Sequence, residues 1–220
     1  MTEPTAPATT TAADLRAIRA AGIAGLVFSV LLAISLVLIR ANPLTGPQSA
    51  GSVRISDAWF LALYLVPFAG IAFLWFMAVL RRRVGRQEDQ FFATVFLGSG
   101  LLFIAMLFAA DAVATASLSA ASSGGLHADD PVFVLGRTMS ETLFYVFATK
   151  MGAVFMLVSS TIGRRTGVLP AWFIGAGGLA AVVMLLSVGF LEPLALIFPG
   201  WVAILSLILL RARPEAWHVA

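Results

Sequence analysis

Residues 143–162 read LFYVFATKMGAVFMLVSSTI, an apolar run interrupted by one cation, Lys150, and followed by Arg164-Arg165. About 20 predominantly apolar residues are enough for a helix to cross the hydrocarbon of a bilayer, so this stretch reads as a membrane span with an ammonium at mid-depth. Such a charge is costly there, and by default it marks a functional site. Of the 14 basic residues Lys150 is the single lysine; the others are arginines, and none of them interrupts an apolar run.

Composition extends this reading to the whole chain. Hydrophobic residues make up 60%, charged residues 11%, and mean hydropathy is +0.97. A soluble domain carries about 25% charged residues and could not hide this much apolar surface in one core. The net charge of +3 and sequence pI near 10.2 come from arginines that flank apolar runs, so they point to a lipid bilayer and not to nucleic acid. There is no cysteine, which excludes disulfides, thiolate chemistry and Cys-ligated metals. His127 falls in a polar loop and His218 in the C-terminal tail, leaving neither bis-His haem ligation in the membrane nor a helical zinc motif. No cofactor or metal is expected.

The fold expected is all-α: a polytopic membrane protein with a bundle of six transmembrane helices, N-in and C-in. Hydropathy sets the spans at residues 20–39, 58–80, 91–113 (with a helix reaching 120), 142–162, 171–191 and 194–210. Residues 1–14 read as a disordered cytoplasmic tail, 15–213 as the membrane domain and 214–220 as a short cytoplasmic tail. Pro67 with Gly70, and Pro199-Gly200, are expected to kink their helices. Orientation follows from arginine placement. Arg16, Arg19, Arg81, Arg82, Arg83, Arg86, Arg164, Arg165, Arg211 and Arg213 fall on one side; Arg40, Arg54 and Arg137 fall on the other. Ten against three puts both termini in the cytoplasm, and the arginine-for-lysine, alanine-rich usage points to a bacterial cytoplasmic membrane.

Acids gather at the opposite, outer end. Asp57 and Glu141 read as helix N-termini behind Ser56 and Ser140, and Glu192-Pro193 reads as another helix start. Together Asp57, Glu141 and Glu192 form a candidate acidic outer mouth. Asp111 differs from them, because it interrupts an apolar helix near its outer end. It is the candidate partner of Lys150, in a transport pair or a structural ion pair. Snorkelling of the lysine to the interface is the third possibility. Small residues at Gly22, Gly25, Gly175, Gly177 and Gly178 suggest that the first and fifth helices are central or meet a second subunit.

Two functional classes survive. One is a small ion, proton or small-solute translocator using Lys150 and Asp111. The other is a non-catalytic accessory or scaffold subunit, as a homo-oligomer or with a membrane-protein partner. An enzyme ranks behind both. Gly98-Ser99-Gly100 has no membrane histidine to activate its serine, and no P-loop or metal-ligand set is present.

Overall fold

The computed structural model describes residues 12–42, 44, 56–84, 90–124, 127, 129–165, 169–187 and 192–211. The described residues are almost all helical: α1 (Ala12–Ala41), α2 (Asp57–Val84), α3 (Gln90–Gly124), α4 (Pro131–Glu141), a π-helical stretch (Thr142–Ala148), α5 (Thr149–Arg165), α6 (Ala171–Leu186), a 3-10 turn (Glu192–Leu196) and α7 (Ile197–Arg211). α4, the π stretch and α5 run on without a break as one rod. Five helices are long and apolar enough to cross a membrane, an architecture compatible with an integral, multi-pass membrane protein.

Six full spans were expected, and the fifth falls short. α6 has 16 residues, about 24 Å at 1.5 Å per residue, against roughly 30 Å of hydrocarbon. Residues 171–191 are almost wholly apolar, so hydropathy cannot see where the hydrogen-bond ladder stops. It stops at Ser187, whose backbone is extended (ψ 125°) and whose hydroxyl donates back to the Met184 carbonyl at 2.8 Å.

Other expectations shift as well. α1 begins at Ala12, inside the segment assigned to a tail, while residues 1–11 lie outside the described residues. The fourth span does not start at Glu141. The rod starts ten residues earlier, at Pro131, behind Asp130, whose side chain accepts from the Val132 N–H at 2.9 Å. Proline at the first helical position and aspartate before it form a stronger start signal than Ser140-Glu141. Pro199 lies in the first turn of α7, where its missing N–H costs no hydrogen bond. Pro67 sits within α2, which continues through it on an exposed face.

α1 lies between α2 and α7, α3 packs against α2 and the rod, and α6 packs chiefly on α5. The centre is aromatic. Phe28, Phe73, Phe103, Phe155 and Phe198 come from five different helices and are at most 3% exposed. Their rings meet at 4.8 Å (Phe28–Phe73), 5.2 Å (Phe73–Phe155) and 4.5 Å (Phe103–Phe198). Tilted and edge-on rings at such distances are the favoured aromatic packing.

Glycine placement follows close approach. A Cβ on Gly25 would lie 2.7 Å from a Phe76 ring carbon and directly against Ser206 Oγ of α7, whereas one on Gly175 would meet nothing within 4 Å. Gly25→Ala is therefore expected to cost about 1–3 kcal/mol by overpacking, and Gly175→Ala to be neutral or slightly stabilising. Thermal denaturation of the two variants in one detergent checks both. Gly177 packs against Trp201, but Gly175 and Ala176 are exposed and α6 lies at the edge of the bundle, which removes the central placement and leaves the second-subunit alternative for this helix.

Candidate functional site

Lys150 lies two residues beyond the end of the π stretch. There the Thr149 hydroxyl donates to the Phe144 carbonyl at 3.0 Å, five residues back. A π turn holds more residues than an α turn, so every later side chain is rotated relative to the α-helical wheel. Lys150 consequently faces α6. Its Nζ donates to the carbonyls of Met184 (2.8 Å), Leu185 (2.8 Å) and Ser187 (2.6 Å), with Ser187 Oγ at 3.3 Å.

This arrangement has a physical reason. The last four carbonyls of any helix lack intrahelical partners, and the C-terminus carries the negative end of the macrodipole. A helix of 16 residues in a bilayer would end short of the far interface, at a depth where water supplies few donors. An ammonium has three N–H groups, and here three carbonyls receive them. Depths agree: Lys150 is 15 residues before Arg165, the end of α5, and α6 runs 16 residues from the same end of the bundle.

The ion pair expected from the sequence does not form. Asp111 is half-buried on α3, and its buried Oδ1 has no hydrogen-bond partner. It lines a cavity of about 410 Å³ at the acidic end of the bundle, among α1, α2, α3 and the rod. Lys150 is not part of that lining.

The cavity is apolar below, with Leu32, Leu36, Val66 and Leu107, and carries Arg40, Asp111, Arg137 and Glu141 among its lining. Gly136 lets α4 approach Ser117 of α3 in direct contact, and the Ser140 hydroxyl donates to the Ala110 carbonyl at 2.8 Å, fixing Arg137 and Glu141 beside Asp111's turn. Arg137 Nε donates to Glu141 at 2.8 Å, one turn along the rod. Leu32, Val66 and Leu107 also belong to the core cluster that contains the five phenylalanines, so the cavity floor is continuous with the aromatic core.

Of the acidic mouth, only Glu141 joins Asp111 at the cavity. Asp57 is exposed at the start of α2 and is not part of the lining, and the side chain of Glu192 lies outside the described residues. Glu141 is also not a helix N-terminal residue, because it is the last residue of α4 and the rod continues beyond it. Sequence reasoning missed Arg40 and Arg137 as site residues. The signal was present: they are two of the three arginines on the sparsely charged side. The remaining unpartnered buried side-chain atoms, on Ser56, Ser159, Ser160, Trp201 and Ser206, are not part of the cavity. Among the described residues no group of three His, Asp or Glu side chains is placed to hold a metal ion.

Comparison with family models, curated proteins and solved structures gave no match.

Proposed function

We propose that this chain is a non-catalytic, non-conducting protein of a bacterial cytoplasmic membrane, with both termini inside, that works by binding a small solute in its outward-facing cavity. The observation that carries the reading is the state of Lys150. A transport lysine has to exchange partners or protons with the passing solute. This ammonium is engaged by three backbone carbonyls at the end of α6, and among the described hydrogen bonds only that of Met184 has a second side-chain donor, the Ser187 hydroxyl. Two further features support it. The cavity ends on Leu32, Val66 and Leu107, which belong to the same buried cluster as the five phenylalanines, and its volume falls in the range of small-molecule sites. The arginine distribution supports the orientation.

The small-solute or proton translocator keeps one supporting observation, the cavity itself, which would serve as its outer vestibule. Flux separates the two readings. In proteoliposomes with matched incorporation, wild type and Lys150→Met are both expected to pass protons and potassium no faster than protein-free vesicles. Wild-type flux that disappears in a still-folded Lys150→Met would overturn the non-conducting reading and restore the lysine to a conduction path.

A further inference from the structure

We propose that the cavity takes an organic cation, with its ammonium on the Asp111 carboxylate and its apolar body against Leu32, Leu36, Val66 and Leu107. The inference rests on the cavity being a binding site and adds the class of ligand.

The argument is a donor and acceptor count. Three serine hydroxyls line the cavity, and each directs its proton into the backbone: Ser35 to the Ala62 carbonyl at 2.8 Å, Ser117 to the Val113 carbonyl at 2.7 Å, and Ser140 to the Ala110 carbonyl at 2.8 Å. The indole N–H of Trp59 is likewise committed, to the Asn42 carbonyl at 2.6 Å. Arg137 Nε is held by Glu141. Arg40 and Tyr145 also line the space and have interactions of their own. None of the three hydroxyls donates to Asp111, whose Oδ1 is buried without a partner. Apart from the guanidinium Nη groups of the two arginines at its exposed rim, what these groups leave facing the cavity is acceptor: a carboxylate and hydroxyl lone pairs.

Such a lining discriminates among ligands. A neutral apolar occupant would cover the carboxylate without giving it a donor, which is unfavourable for a buried charge. An anion would add repulsion from the same group. An ammonium supplies both the donor and the opposite charge. The two arginines do not reverse this order. Arg40 is exposed and the Arg137 side chain is 50% exposed, so solvent and salt screen both, while the buried oxygen of Asp111 is shielded from that screening. Glu141 also neutralises Arg137 directly.

Three probes of one length separate the classes: 4-phenylbutylamine, 4-phenylbutanol and 4-phenylbutyric acid. Each is titrated calorimetrically at pH 7 into full-length protein in nanodiscs, with empty nanodiscs subtracted. The amine is expected to bind at least tenfold more tightly than the alcohol, and the acid more weakly than either. Asp111→Asn is expected to erase the difference between amine and alcohol. Leu107→Trp, which fills the floor, is expected to abolish binding of all three. Alcohol or acid binding as tightly as the amine would overturn the ligand class and leave the binding site standing. Binding that survives Leu107→Trp unchanged would move it out of this cavity and overturn the proposal. No heat from any probe with the wild type would overturn both the cation and the binding reading. If Asp111→Asn does not fold, the ranking of the three probes on the wild type decides.

Discussion

Lys150→Met is expected to lower stability by about 3 kcal/mol or more, roughly 6–12 °C in Tm for a chain of this size. Methionine fits the space of the lysine stem but donates nothing. Carbonyls at Met184, Leu185 and Ser187 then lose their N–H donors together. Hydrogen bonds to a charged group are worth about 1.5–3 kcal/mol each, and the three are not independent because one ammonium makes them all. The damage should be local first. α6 packs chiefly on α5, so losing its anchor frees the helix before the rest of the bundle melts. Hydrogen exchange of residues 171–187, compared between wild type and variant, should show protection lost there well ahead of α1 and α7. Lys150→Arg should recover part of the stability, since guanidinium N–H groups can reach carbonyls but fit them with a planar fork. A Lys150→Met protein as stable as wild type, with α6 still protected, would mean that the lysine does not hold this helix.

Phe73→Ala should cost about 2–3 kcal/mol. Phe73 is fully buried, and its ring meets those of Phe28, Phe155, Phe103, Phe198 and Phe76 at 4.8–6.0 Å. In a membrane the removed ring gains little by leaving the core for lipid, so the transfer part of the usual penalty is small. The void remains: about 100 Å³ at roughly 24 cal/mol per Å³ gives the estimate. Phe73→Leu should cost less than half as much, because it leaves a smaller hole. Denaturation midpoints in one detergent, with the wild type alongside, check both values. An alanine variant indistinguishable from wild type would mean that the cluster repacks around the gap and is not a rigid core.

Much of the architecture was legible in the residues. Runs of apolar sequence closed by Arg81, Arg164-Arg165 and Arg211 marked the helices, because hydropathy reports what a segment can be surrounded by. Helix ends were read less well. Ser140-Glu141 resembles a cap, yet the rod runs through it from Pro131, since Asp130 and Pro131 start a helix that has no reason to stop ten residues later. Lys150 was legible as a site, but its partner was not. The π stretch at Thr142–Ala148 changes the residues per turn just before it, and a helical wheel drawn at 3.6 residues per turn assigns the wrong face beyond that point. The natural search for an acid also missed the true acceptors, which are backbone groups and carry no mark in side-chain identity.

The sequence by itself determined the class of molecule: helices suited to a membrane, arginines at one end, acids at the other, and one lysine buried among apolar residues. These are properties of side chains in contact with their surroundings, and composition records them. Only the tertiary structure decided that α6 stops short of the far side and that the Lys150 ammonium closes its end. It alone brought Asp111, Glu141, Arg40 and Arg137 to one cavity. Those facts depend on which backbone carbonyls are left without donors and which helices lie side by side, and neither is a property of any single segment.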